Sequence, residues 1–426
     1  TGNACDGECR IVNSNQAGWG VITAMTGDND GSGNYSQCTI TVKNPFVSIQ
    51  ATKQWRLGAW SKTTGYPQNG TFHQNRLWCA STTSEPQTLH ASEVNVYNNF
   101  SPNDLETATV VDSQAMRVTL ASRQVNAINH MRSDSQGLMI FTAGGEWIGR
   151  ASQPSAPITP TDINFSKQSS YGSLADVEPV RFGTSYLMFQ RDARTLREYT
   201  YEFGQDRFVA PNVTILAEHI TKNKVVDMTF QMGGQQRAWM CTSTGELLCL
   251  TYDKTQDVMA WSRHIMAKSG STPVVGQVKT VARTTDGNED NIWMIVQRTI
   301  GSTVKYFVEM LEQDFTVAEE HAEAFFVDCG ISVTHGSPST TVSGLDHLIG
   351  QDVYALVDGV QYAFTAALGN AINGSGEITT LSATNVQVGL LYSVVVETLP
   401  LNVTQGLEVK AKRKRLFSSF ANMYRS

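Results

Sequence analysis

A short apolar run recurs five times along the middle of this chain, and it constrains the fold more than any other feature. Each run is five residues long and is followed, after a short polar turn, by a second strand-like run. Leu77, Leu138, Leu187, Trp239 and Trp293 mark the recurrence, at spacings of 61, 49, 52 and 54 residues. The first runs occupy residues 76–80, 137–141, 185–189, 237–241 and 291–295, and the second runs contain residues 88–91, 146–149, 196–199, 247–250 and 306–309.

The clearest repeat unit predicts four strands, at residues 226–230, 238–242, 247–252 and 258–261. Four strands repeated about every 50 residues are typical of a β-propeller blade. One small sheet cannot bury both of its faces, but a ring of such sheets can. The alternative is an irregular β-sandwich whose strand pairs imitate a repeat. Five units are visible, and a sixth could be assembled from segments such as residues 94–120.

The sequence on either side of the repeats predicts smaller β-structures. Residues 19–25 and 37–43 form two strand patterns near the start, and five more follow residue 322, at 352–357, 360–365, 376–381, 386–388 and 391–397. Asp358-Gly359 is a strong two-residue hairpin signal. We therefore predict an all-β protein with a propeller of five or six four-stranded blades at residues 59–322. Smaller sandwich or barrel domains flank it, an N-terminal one at 1–58 and a C-terminal sandwich-like one at 323–426, and the start of the sequence suggests a fragment of a longer protein.

Composition excludes several classes of protein. The net charge of −7 does not favour a general nucleic-acid binder, and no apolar run is long enough to predict a membrane span. Seven scattered cysteines argue against a disulfide framework. Cys79, Cys241 and Cys249 lie inside apolar runs, where a thiol packs as a small hydrophobic group.

The sequence motifs predict no catalytic, cofactor-binding or metal-binding residue. The nucleotide-binding, serine-hydrolase and zinc-protease motifs are absent from the sequence. Cys5 and Cys9 have no neighbouring pair of further metal ligands, and the loop at residues 28–30 lacks the closing Glu of a calcium loop. A glycan-cleaving enzyme would need two facing carboxylates. The repeats supply candidates by number only, namely Glu146, Glu198, Asp227, Glu246 and Glu309.

One basic cluster is a candidate for contact with nucleic acid or with a partner. Its positive charges fall within six residues, at Lys410, Lys412, Arg413, Lys414 and Arg415. Such a cluster can bind a phosphate backbone. The alternative is a solvated edge strand protected from aggregation by its lysines.

Several blocks, in a fixed order, resemble a known group of proteins. They are residues 55–61, 65–67, 72–77, 86–92, 144–147, 168–173, 260–264 and 344–348, which include the sequences WRLGAWS, FHQNRL and GLDHL. Over about residues 18–415 the chain resembles bacteriophage tail proteins, in particular the nozzle (tail tubular) proteins of short-tailed phages.

The resemblance implies a structural virion protein without enzymatic activity or cofactor. It implies a homo-oligomeric ring, a hexamer, that closes the tail channel and conducts double-stranded DNA during genome ejection. The implied partners are an adaptor ring and tail fibres, and the implied location is the virion tail after assembly in the host cytoplasm. The alternative is a receptor-binding or glycan-cleaving tail protein. Polar loops at residues 81–87, 284–291 and 335–341 are expected to carry partner contacts.

Overall fold

The computed structural model describes residues 8–13, 16–26, 37–46, 55–61, 64–102, 109–153, 155–233, 236–270, 274–287, 289–315 and 320–395. Within these ranges the chain is all-β, with consecutive antiparallel sheets and four single-turn 3₁₀ helices. None of the described helices is long and apolar enough to cross a membrane. The 3₁₀ helices are Phe203–Gln205, His321–Glu323, Asp346–Leu348 and Ala366–Leu368.

An N-terminal sheet, called sheet N, precedes the repeats. It has the strand order β3-β2-β1-β4 and consists of β1 (Glu8–Asn13), β2 (Gln16–Thr26), β3 (Gln37–Asn44) and β4 (Trp55–Leu57). The two strands predicted at residues 19–25 and 37–43 are therefore confirmed as β2 and β3.

The five repeats form five sheets, called blades 1 to 5. Blade 1 contains β5 (Asn69–His73), β6 (Arg76–Ala80), β7 (Thr88–Ala91) and β8 (Met116–Thr119); blade 2 contains β9 (Ile128–Asp134), β10 (Gly137–Thr142), β11 (Gly145–Arg150) and β12 (Asn164–Lys167). Blade 3 contains β13 (Val180–Phe182), β14 (Ser185–Phe189), β15 (Leu196–Glu202) and β16 (Arg207–Val209); blade 4 contains β17 (Val225–Gln231), β18 (Arg237–Thr242), β19 (Leu247–Asp253) and β20 (Val258–His264). A short hairpin of β21 (Lys268–Ser269) and β22 (Val274–Val275) leads to blade 5, which has β23 (Gln277–Asp286), β24 (Glu289–Ile300) and β25 (Thr303–Leu311).

Each recurring sequence run forms the same part of its blade. The first run is always the second strand of the sheet, and the second run is always the third strand. The prediction of an all-β, propeller-type fold is confirmed. One detail differs, because residues 94–120 do not start a sixth unit: β8, within that segment, pairs with β7 and completes blade 1. A second difference is that blade 5 has three described strands rather than four.

Consecutive blades pack face to face through apolar side chains. The first strands of neighbouring blades touch between blades 1 and 2, 3 and 4, and 4 and 5, as expected when the first strand of each blade lies nearest a central axis. Alternation along each second strand sends successive side chains to opposite faces, so each middle blade contributes to two cores. The cores include Trp78, Met131 and Leu138 between blades 1 and 2; Phe141, Tyr186 and Tyr199 between blades 2 and 3; Leu187, Met228 and Met240 between blades 3 and 4; and Trp239, Ile292 and Met294 between blades 4 and 5.

The last sheet, called sheet C, packs against the far end of blade 5. Its strands are β26 (Asp328–Val342), β27 (Val353–Val357), β28 (Val360–Phe364) and β29 (Ile378–Leu390), in the order β26-β29-β27-β28. Ile300 and the half-buried Phe307 of blade 5 join its core. The hairpin predicted at Asp358-Gly359 is confirmed, since both residues have positive φ, 45° and 83°, as a type I′ turn requires.

Two loop predictions and two strand predictions in this part of the chain are wrong. Residues 335–341 are not a loop but a bulged part of β26 that pairs with β29. Residues 284–291 are largely the paired ends of β23 and β24. The separate strands predicted at 376–381 and 386–388 merge into β29, and residues 391–395 form no strand. In the two loop predictions, polar side chains on a solvated strand face imitate a loop. The domain boundaries at residues 58 and 322 stay predictions.

Candidate functional site

Glu146, the first of the candidate acids, lies inside the interface between blades 2 and 3. It is fully buried, and its Oε2 accepts a hydrogen bond from the Ser169 hydroxyl. Burial raises the pKa of this carboxyl, and hydrogen bonds from Ser169 and from the backbone of Gly172 and Tyr171 only partly oppose that effect. Its position holds a strand edge in place and leaves no access for a substrate.

Glu198, on β15, joins blade 3 to blade 4. Its carboxylate accepts hydrogen bonds from Ser185 Oγ at 2.7 Å, Tyr252 Oη at 2.8 Å and Lys254 Nζ at 2.8 Å. Burial alone would raise the pKa of Glu198, but the bonds from Lys254, Ser185 and Tyr252 outweigh it, and the pKa is lowered. Glu198 is therefore an ionised inter-blade contact.

The two glutamates should show opposite pH dependence when each is replaced by Gln. For Glu146 the folded-state pKa lies above the ordinary value of 4.5, so its stabilisation is complete below that value and is lost as pH rises through the folded pKa. For Glu198 the folded-state pKa lies below 4.5, so its stabilisation is present above that value and is lost as pH falls through the folded pKa.

We expect Glu198→Gln to lower the free energy of unfolding by about 1–3 kcal/mol at pH 7, with the loss shrinking towards pH 3. Glu146→Gln should be neutral near pH 4 and stabilising by about 1 kcal/mol at pH 8. Urea unfolding from pH 3 to pH 8 measures both, each variant serving as the control for the other. Parallel pH profiles for the two variants would contradict this assignment.

Acidic side chains also fasten blade 4 to blade 5. Asp227 Oδ2 accepts the Val281 backbone N–H at 3.0 Å and a bond from the Thr280 hydroxyl. Asp290, which is buried, accepts the backbone N–H groups of Met232 at 2.7 Å and Gly233 at 3.1 Å. These carboxylates satisfy backbone donors across the interface, which is a structural task.

A buried cluster around Arg298 connects blade 5 to sheet C. The guanidinium is fully buried and binds Glu309 through two bonds, Nε to Oε1 at 2.6 Å and Nη2 to Oε2 at 2.7 Å. Nη2 also binds Asp328 Oδ1 at 2.6 Å, and Asp328 Oδ2 accepts the Ala267 backbone N–H. Glu309 and Asp328 are thus brought together, but they share one cation between them and do not flank an open cleft.

The last candidate acid lies at a shallow open depression between blade 4 and the β21–β22 hairpin. Glu246 accepts a hydrogen bond from Asn223 Nδ2 at 2.7 Å. The other lining residues are apolar or uncharged: Thr244, Gly245, Ile265, Met266, Val274, Val275, Gly276 and Gln277. Glu246 is the single carboxylate in this lining. Within the described ranges, no cluster of three or more His, Cys, Asp or Glu side chains is arranged to hold a metal ion.

The three cysteines predicted to pack as hydrophobic side chains do so. Cys79, Cys241 and Cys249 are buried, and burial raises their thiol pKa to about 11, about 12 and about 11. A thiol with so high a pKa is a poor nucleophile at neutral pH.

The outer face of blade 5 is apolar and open to solvent, and it is defined by Trp293 and Ile295 on β24 and by Val304, Tyr306, Val308 and Met310 on β25. These side chains are 36%, 38%, 52%, 64%, 72% and 43% exposed. Their neighbours in sequence, Ile292 and Met294, are buried against blade 4, so alternation places Trp293 and Ile295 on the opposite side. We call this surface the terminal face.

The basic cluster proposed from sequence, Lys410, Lys412, Arg413, Lys414 and Arg415, lies outside the described residues. In β24 and β25, apolar residues occur on both faces of the strand, and this pattern is visible in the sequence. It could have indicated the terminal face. Sequence alone gave no reason to expect one of those faces to stay uncovered.

Comparison with known proteins adds only distant similarities. Neither a family model nor a curated protein sequence matches the chain. Solved structures that it resembles include human WBSCR16, at 10% identity and TM-score 0.33 over 87% of this chain and 96% of the other. A protein from Lactobacillus plantarum is 9% identical with TM-score 0.33 over 90% and 99% of the two chains. The Neurospora crassa Pan2 WD40 domain is 10% identical with TM-score 0.28, over 55% of this chain and 62% of that one. Similarity this distant carries no argument about function.

Proposed function

We propose that this protein is a structural subunit of a phage tail nozzle, a homo-oligomeric ring that closes the DNA channel and conducts the genome during ejection. The observation that carries the proposal is the terminal face. Blades 1 to 4 bury their facing sheets against the next blade, whereas blade 5 presents an apolar sheet face to solvent. A building block that continues into a neighbour has this geometry.

The candidate acids support the same proposal. Glu146, Glu198, Asp227 and Glu309 are engaged in contacts between sheets, and Glu246 lines its depression without a facing carboxylate. The alternative, a glycan-cleaving tail protein, requires a pair of accessible carboxylates. The resemblance of the sequence blocks to nozzle proteins supplies the expected copy number of six and the expected partners: an adaptor ring, tail fibres and the DNA in the lumen.

Electron microscopy of the purified chain and of the phage particle that contains it tests the proposal. We expect a closed ring at the distal end of the tail, with a lumen wide enough for duplex DNA or a movable gate across it. Adjacent copies should bury more than about 1,000 Å² between them. A chain located in a fibre or tailspike, or release of sugar from host glycans by the purified chain, would overturn it.

A further inference from the structure

No charged side chain separates the apolar residues at the centre of the terminal face. Trp293 lies beside Met310 in register, Ile295 beside Val308, and Gln297 beside Tyr306. The remaining members on β24 and β25 are Asn291, Thr299 and Val304. Arg298 and Glu309 point to the other side, where they form the cluster described above, and Glu289 lies at the hairpin end of β24, paired in register with Asp286. A face whose centre carries no charges is suited to the dry centre of an interface.

The repeat itself indicates what should cover this face. Trp239 in blade 4 and Trp293 in blade 5 occupy the same position in the repeat, on the second strand. Trp239 is 3% exposed because the sheet of blade 5 packs on it, with Val281 and Ile292 in the same core. Trp293 is 36% exposed. Trp293 therefore occupies a position that a following sheet, if present, would cover.

The opposite end of the row of blades offers a matching surface. Phe72, on β5 of blade 1, is 62% exposed, and Tyr97 is 44% exposed. Their rings touch edge to face at 5.2 Å, so they form one aromatic protrusion. Val96 beside them is 40% exposed. Between consecutive described blades, each apolar face is covered by the face of the next blade. The outer faces of blades 1 and 5 are therefore the faces that no described blade covers.

Two different surfaces at opposite ends of one chain produce a head-to-tail contact, and such contacts form a ring when the rotation between copies closes and an open filament when it does not. The three strands of blade 5 have 10, 12 and 9 residues. With strands about 4.8 Å apart, the outer face of blade 5, which contains the terminal face, covers about 500 Å². A stable pair buries about 800 Å² on each partner. One contact through this face is therefore weak alone, and a closed ring, where every subunit makes two, is favoured over an isolated dimer.

We infer that the terminal face binds the first blade of a second copy of this chain, around Phe72 and Tyr97. This inference rests on the ring proposed above, because it names the surface through which one copy holds the next. The second copy supplies the sheet that would follow blade 5, and Trp293 becomes buried as Trp239 already is.

Substitution of an exposed valine tests the inference. Val308→Asp places a charge at the centre of the terminal face, and Val360→Asp is the matched control, since Val360 is a 54% exposed residue of β28. Light scattering after size-exclusion chromatography should show a ring for the natural chain and for Val360→Asp. Val308→Asp should be monomeric at a concentration at least tenfold above that at which the natural ring dissociates. At a dilution where the natural chain and both variants are monomeric, all three should have the same melting temperature, which excludes misfolding.

Cross-linking identifies the second surface. Chains carrying Val308→Cys are mixed with chains carrying Phe72→Cys, both with Cys38→Ser, and the disulfide-linked peptides are mapped by mass spectrometry. A 308–72 link between chains supports the inference. A link within a single chain carrying both cysteines, formed in the dilute monomer, would show that the protein closes on itself and would overturn it. An intact Val308→Asp ring would also overturn it but leave the nozzle proposal standing, whereas a natural chain that never forms a ring would refute both.

Discussion

Replacing Trp239 with Ala is expected to lower the free energy of unfolding by about 3–5 kcal/mol. The indole is almost completely buried between blades 4 and 5, its Nε1 donates to Gln231 Oε1 at 3.1 Å, and its ring packs against His264. Removing it leaves a cavity between two sheets, and the hydrogen bonds within each sheet keep the strands from moving in to fill it. Urea unfolding, with hydrogen exchange of peptides from β18 and β24, measures the loss.

Trp293→Ala is the control that the repeat itself provides. The two tryptophans occupy the same place in successive blades, but Trp293 is uncovered in the single chain and its Nε1 donates to Thr284 Oγ1 at 2.9 Å. We expect it to cost less than about 2 kcal/mol in the monomer. Equal costs for the two substitutions at a concentration where the chain is monomeric would mean that Trp293 is already covered by another part of the same chain.

Arg298→Met is expected to destabilise the protein by about 3–5 kcal/mol, because it leaves the half-buried carboxylates of Glu309 and Asp328 without their shared cation. The two carboxylates face the same guanidinium from β25 and β26, so the damage should appear where blade 5 meets sheet C. Faster hydrogen exchange in residues 303–311 and 328–342 locates it. The measured quantity is the urea midpoint together with the exchange rates of these peptides.

Two further variants make this prediction specific. Arg117→Met removes the cation of an exposed pair with Glu85, where the side chains are 54% and 35% exposed, and should cost less than about 1 kcal/mol. Adding Glu309→Gln and Asp328→Asn to Arg298→Met should restore part of the stability, because the uncompensated charges are then gone. If the triple variant were no more stable than Arg298→Met, lost packing rather than unpaired charge would explain the effect.

The second and third strands of every blade could be predicted from sequence, whereas only one first strand, β17 of blade 4, was predicted. The run at residues 137–141 is apolar at nearly every position because β10 packs on both faces, and such a run is visible without any tertiary information. The first strands β5, β9 and β13 are short or polar, for example NGTFH and VRF. Their hydrogen bonds with the second strand hold them in place, and this pairing leaves little trace in hydrophobicity.

From the sequence, the acidic residues could be identified as candidates, but the contacts that they make could not be predicted. Glu146 and Glu198 occupy the third strands of neighbouring blades, yet one is a buried carboxyl with a raised pKa and the other is ionised by Lys254 and Tyr252. The difference arises from partners 13 to 56 residues away in sequence. No local pattern encodes which side chains the adjacent blade will bring to a carboxylate.

The sequence by itself determined that this chain is all-β and that its middle is a fivefold repeat of strand pairs, because alternation and turn chemistry are local properties. The tertiary structure alone decided that the carboxylates form contacts between sheets and that β26 is one long bulged strand. It also decided that Trp239 is covered and Trp293 is not. The physical reason is that burial of a sheet face depends on whether another sheet follows it in space, and two tryptophans in equivalent strands cannot differ until that neighbour is present or missing.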